Sequence, residues 1–160
     1  MTDLHDASAV AAVAARIEAW LERERTENPI VAAVDRAGAD SPEPRWFVRL
    51  RGEDKEFTTV WLTLGQRTLR YETYVLPAPE ENQAAFYEHL LRRNDRLVGA
   101  HFSIGLEDAV FLRGELPLAL VVDDELDRII GSLWTYVEQC FRPALQIGFA
   151  SRLAARAADA

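Results

Sequence analysis

One cysteine, one lysine and no long apolar run stand in these 160 residues, and each scarcity closes off a kind of chemistry. A single Cys140 leaves no internal disulfide and no thiolate-rich metal site within one chain. With Lys55 the only lysine, nearly all positive charge is arginine. No stretch approaches the roughly 20 apolar residues that cross a bilayer. The Ala/Val-rich start, MTDLHDASAVAAVAARIEAW, opens with acids and is cut by Arg16 and Glu18, where a secretory signal wants a basic start and an unbroken apolar stretch. A soluble cytoplasmic protein is expected. Net positive charge is missing too. At −8, with a sequence pI of about 4.9, the chain argues against nucleic acid or an anionic membrane surface as partner. Neither a Walker loop nor G-x-G-x-x-G nor H-E-x-x-H occurs, so nucleotide and zinc-hydrolase motifs are absent.

What is present is periodicity. About half the residues are hydrophobic, enough for one domain with one core. Val10, Val13, Ile17, Trp20 and Leu21 recur at spacings of three and four, so an amphipathic helix is expected over about 8–26, stopped by Asn28-Pro29. IVAAV (30–34) reads as a short strand and DRAGADSPEP (35–44) as a polar loop. From Arg45 the period becomes two. RWFVRLR, FTTVWLTL and TLRYETYVL are three strands of an antiparallel meander. Taking Gly65-Gln66 as the turn sets Leu64 opposite Arg67, Leu62 opposite Leu69 and Val60 opposite Tyr71. The other face then sets Trp61 beside Arg70, Thr59 beside Glu72 and Phe57 beside Tyr74. Placing Trp46, Val48 and Leu50 on the core face requires a loop of about five residues, Arg51 to Lys55.

The segment 77–95 reads as a second helix with Pro79 near its start, acids in its first turn and Arg92-Arg93 at its end. A second hairpin follows about LED (106–108), its last strand ended by Pro117. The last helix starts near 124 with Leu126, Ile130, Leu133, Val137 and Cys140 on one stripe, and Pro143 is expected to kink or break it near 140–143. The fold class is α+β, in the order α-β-β-β-α-β-β-α: an antiparallel sheet of five or six strands with helices on one face. The single domain is expected over 8–153, between tails at 1–7 and 154–160.

Candidate chemistry is thin. Asp123, Asp124, Glu125 and Asp127 follow an apolar strand and precede a helical stripe, where acids gain from the positive end of the dipole; metal ligands must converge, and adjacent helical residues diverge. His101 and Ser103 share strand parity at about 7 Å, long for a base and its nucleophile, so a small hydrolase is a remote alternative. Cys140 lies on an apolar stripe, which makes it a core thiol. No catalytic, metal or cofactor residue is assigned.

One feature exceeds ordinary patterning. The face of the meander turned away from the core carries Phe47, Phe57, Trp61 and Tyr74, where water-facing strands prefer small polar or charged residues. A helix, a second subunit, a protein ligand or the chain's own termini would cover it. Trp61 beside Arg70 is alternatively a self-contained cation–π pair, and simple exposure also stays open. These five residues are the expected partner or dimer contact.

The ordered stretches LGQRTLRYETYVLPAPEEN, HLLRRND, FSIGLEDAVFLRGELPL and DDELDRIIGSLWTYVEQCF resemble the YbjN-like family of small bacterial proteins, from about Arg45 to Leu153. That family resembles class I type III secretion chaperones in fold. The resemblance implies an acidic α+β protein, usually homodimeric, that binds other proteins and supplies no catalytic residues. The expected function is therefore a non-enzymatic, chaperone-like module, probing no nucleic acid and no membrane, that holds a client segment by strand addition or helix-in-groove contact. The alternative is a sensory-transduction regulator that binds a signalling partner.

Overall fold

The structure, a computed structural model, describes residues 5–38 and 40–160; most of the tail expected over 1–7 lies outside them. Helix α1 (Ala7–Glu27) begins at Asp6, whose side chain accepts from the Ala9 N–H at 2.8 Å, a standard way of satisfying a free helical donor. It buries Ile17, Trp20 and Leu21. Four strands follow: β1 (Val31–Ala37), β2 (Arg45–Arg51), β3 (Phe57–Leu64) and β4 (Thr68–Leu76). Then come α2 (Gln83–Asn94), β5 (His101–Ile104), β6 (Val110–Pro117), α3 (Asp123–Gly148) and α4 (Ala150–Ala158). The six strands form one antiparallel sheet in the order β1-β2-β3-β4-β6-β5, which is the expected fold class.

Alternation decides the layers. On β3, Thr58, Val60, Leu62 and Leu64 are at most 1% exposed, and they continue into Trp46, Val48 and Leu50 on β2 and Leu69 and Tyr71 on β4. This face packs beneath α1 and α3, whose Leu126, Ile130, Leu133, Val137 and Cys140 are all buried.

The hairpin register differs from expectation. Leu64 lies opposite Leu69, Leu62 opposite Tyr71 and Val60 opposite Thr73. The Gly65 N–H donates to the Thr68 carbonyl at 3.0 Å, so Gln66 and Arg67 form the corner instead of Gly65 and Gln66. Sliding by two keeps every residue on its face and puts Leu69, rather than Arg67, into the core row. An arginine in that row would carry a desolvation cost. In the preceding hairpin Arg51 pairs with Phe57, so the five-residue loop is 52–56, one residue later than expected.

Three further expectations are corrected. The polar loop begins later, because β1 runs on to Ala37. The acids before α2 do not fill its first turn. The Glu80 and Glu81 N–H groups donate to the Gly148 carbonyl at 3.0 and 3.1 Å, and Glu81 accepts from Ser151 at the start of α4. Glu81 thus caps α4, Glu80 pairs with Arg152 on it, and their backbone ties α4 to the end of α3. Helix α3 passes through Pro143 without a break. Proline removes one backbone donor, but Cys140, Ala144 and Gly148 stay buried on one side, and that packing carries the helix to Gly148. Beyond it, helix α4 runs from Ala150 to Ala158.

Candidate functional site

The other face of the sheet carries no helix. One row across it reads Asp35, Phe47, Trp61, Glu72, Arg113 and His101 from β1 to β5. The next row reads Ala37, Arg45, Thr63, Arg70 and Glu115. Period-two alternation therefore brings Phe47, Phe57, Trp61, Arg70 and Tyr74 onto one surface, together with Arg45, Arg49, Phe111 and Arg113.

Their pairings differ from those expected. Trp61 lies opposite Glu72, not Arg70, and Phe57 opposite Arg51, not Tyr74. The cation over Trp61 is Arg45, 4.1 Å from the ring centroid. Arg49 sits 4.0 Å over Phe57 and Arg113 4.5 Å over Phe111. Phe47 packs on Trp61 with centroids 5.4 Å apart, and Tyr74 meets Phe111 edge-on at 5.8 Å. Each ring is thus partly shielded by a guanidinium or by another ring, which explains how large aromatics remain half-buried on a face without a helix. Only Tyr74, at 43% exposure, stands largely open.

The arginines are unequal. The Arg113 Nε donates to Glu72 at 2.8 Å and its Nη1 to Ser103 at 3.4 Å. Arg70 pairs with Glu43. Arg45 approaches Glu72 only to 3.7 Å, and Arg49 has ring contact alone. Among the described residues, neither the Arg45 nor the Arg49 side chain makes a hydrogen bond; Arg45 keeps only its long ion pair with Glu72. The signal for these residues was the same alternation that marked the aromatics: Phe47 and Arg49 share a parity on β2, as do Phe111 and Arg113 on β6.

A depression of about 840 Å³ opens on this face between Arg45, Arg70, Glu72, Arg113 and His101. Behind it, on the helix side of the sheet, a close crossing depends on a glycine. A Cβ at Gly114 would lie 2.3 Å from the Gly99 carbonyl oxygen and 2.4 Å from the Tyr71 ring. Only a bare backbone lets the 99–100 segment cross there and accept a hydrogen bond from the Tyr71 hydroxyl.

The remaining candidates are engaged structurally. Asp123 pairs with Arg23 at 2.9 Å, Asp127 accepts from the Trp20 indole at 2.7 Å, and Glu125 holds Arg128; α3 begins at Asp123. His101 and Ser103 both lie on the open face of β5, with no hydrogen bond joining them among the described residues. Cys140 is fully buried, and desolvation pushes its thiol up to about 12. Lys55 lies between the Tyr74 and Phe141 rings and donates to the Tyr74 carbonyl at 2.6 Å. Burial lowers its ammonium to about 8. Its loop is held by Glu138, which accepts from the Glu53 and Asp54 N–H groups at 2.9 and 2.8 Å.

The sheet edge at β5 is also closed. The Asn94 side chain accepts from the Phe102 N–H at 2.6 Å and donates to its carbonyl at 3.2 Å. An amide thereby occupies the position an added strand would take. Among the described residues, no helix is long and apolar enough to cross a membrane.

Residues 14–146 match the family model described as "Putative bacterial sensory transduction regulator". Uncharacterized proteins of Mycobacterium bovis and Mycobacterium tuberculosis are each 34% identical over 110 residues, 69% of this chain and 60% of theirs. One from Mycobacterium leprae is 34% identical over 109 residues, 68% of this chain and 59% of its own length. The chain therefore spans about 60% of the length of these curated relatives. A match running from the middle of α1 to near the end of α3 takes in the whole sheet, and the chain belongs to the YbjN family.

Proposed function

We propose that this protein is a non-enzymatic binding module of regulatory type that engages a protein partner through the uncovered face of its sheet. The observation that carries the reading is the surface on which half-buried Phe47, Phe57 and Trp61 lie beside exposed Arg70 and Tyr74, with no helix of the described residues over it. Aromatic and arginine side chains dominate the energetics of protein contacts. Held rigid by strands and by ring–guanidinium stacking, these lose little freedom on binding. The family's regulatory description favours a signalling partner. The same surface would serve a chaperone-like hold on a client segment. Strand addition at β5 is disfavoured by the Asn94 plug, so the partner would lie over the open face instead of extending the sheet at that edge.

The module would act as a homodimer through a separate surface. Leu91, Ile104 and Leu106 are 66%, 54% and 82% exposed around the end of α2 and β5, and an apolar patch of this kind suits self-association. A symmetric contact through the open face would instead set arginines against their own copies. Light scattering tests the dimer: Ile104→Glu should shift a dimer to monomer, and a wild-type monomer at micromolar concentration removes that part. Trp61→Glu tests the partner surface. Partner affinity should fall at least tenfold while the circular dichroism spectrum is unchanged, and equal affinity would overturn the reading.

A further inference from the structure

We infer that the partner's contacting segment is acidic and extended, with two carboxylates flanking an apolar residue on one side of the chain: acid, any residue, apolar, any residue, acid. This rests on the reading that the open face is the binding surface and adds the chemistry of what binds there. The protein carries a net charge of −8, yet this face reverses the sign. Arg45, Arg49, Arg51, Arg70 and Arg113 share it with Asp35, Glu72 and Glu115. Glu72 and Glu43 engage Arg113 and Arg70, and Asp35 accepts from the Arg36 N–H at 2.8 Å. Arg51 donates to the Pro29 and Val31 carbonyls. What remains is Arg49, held over a ring with no acceptor among the described residues, and Arg45, held over a ring with only a long 3.7 Å ion pair to the Glu72 that Arg113 already engages.

A guanidinium fixed by stacking and free at its edge is prepared for bidentate contact with a carboxylate. Both lie on β2, four residues apart, so about 13 Å separates their Cα atoms. Phe47 lies midway and leans on Trp61. Cation, ring, cation at positions 45, 47 and 49 is matched by acid, apolar, acid at alternate positions of an extended segment, because the repeat along the two chains is the same. A nucleic acid backbone fits less well. It needs many phosphate contacts, and only two guanidinium groups among the described residues of this face lack a hydrogen bond, on a chain whose overall charge repels it. A second copy presents the same arginines and is repelled likewise.

The test is calorimetry on the full chain with a synthetic peptide centred on Glu-Thr-Leu-Thr-Glu, its Gln-Thr-Leu-Thr-Gln counterpart, and a single-stranded oligonucleotide of equal length. The Glu peptide should bind at least tenfold more tightly than the Gln peptide and than the oligonucleotide, and weaken with added salt. Arg45→Gln and Arg49→Gln should each reduce that preference while leaving thermal melts near wild type. Where a glutamine variant fails to fold, lysine at the same position keeps charge without the planar fork and should still lose most of the preference. Equal binding of both peptides, lost on Trp61→Glu, overturns the acidic partner and leaves the open-face reading standing. No peptide binding, or tighter binding of the oligonucleotide, overturns the inference outright. Partner binding abolished by neither Trp61→Glu nor the arginine variants overturns both.

Discussion

Along β3, neighbouring side chains enter two different environments. Thr58, Val60, Leu62 and Leu64 face the helices and are at most 1% exposed, whereas Phe57, Thr59, Trp61 and Thr63 face outward and are half-buried. The inner set is closed by aliphatic packing over a continuous core. The outer set is closed by arginines lying over rings. Aliphatic closure is dense, and it stabilises through area removed from water. Guanidinium closure is looser: it shields the rings, leaves donors at the edge, and can be reopened by a ligand that supplies both carboxylates and apolar surface. One sheet thus separates what holds the fold from the face proposed to meet a partner.

The comparison breaks most sharply at adjacent residues. Leu62→Ala removes a side chain with no exposure and should cost about 2–5 kcal/mol in urea denaturation, while truncating its neighbour Trp61 should cost well under that. Similar losses would mean that the outer face is structural. A smaller effect of opposite sign is expected at Thr58. Its hydroxyl is buried with no hydrogen-bond partner among the described residues, so Thr58→Val should stabilise by about 1 kcal/mol. A loss of stability would reveal a partner for that oxygen.

A pH-dependent effect concerns Lys55, where the two closures meet beneath Tyr74. Burial lowers its ammonium from 10.5 to about 8, so the unfolded chain binds that proton more firmly. Its contribution to stability therefore rises as pH climbs from about 8 to 10.5. Cys140, raised from 9.0 to about 12, acts with the opposite sign across that range and is present in both chains of a comparison. Wild-type stability minus that of Lys55→Met should increase through the window. A flat difference would place the amine in water.

Much of the sheet was legible because a two-residue period assigns faces without knowing the register. The hairpin of β3 and β4 slid by two, yet Trp61 and Tyr74 stayed on the outer face. What the period does not carry is which outward residues meet, so Arg70 stood in for Arg45 as the cation over Trp61. Local rules failed where distant packing intervened. Pro143 signals a break, but the buried stripe of Cys140, Ala144 and Gly148 outweighs one missing hydrogen bond. Glu80 and Glu81 signal a helix start, and Glu81 does cap one, but it is α4, about 70 residues downstream. The Asn94 plug on Phe102 joins two elements across a loop, and no spacing rule marks it.

The central claim is that the uncovered sheet face is the working surface. Its most direct test is the affinity of wild type and Trp61→Glu for one purified partner, measured side by side with their melting temperatures. The account expects binding to fall at least tenfold at nearly equal melting temperature. Equal affinity in two equally stable chains would contradict it.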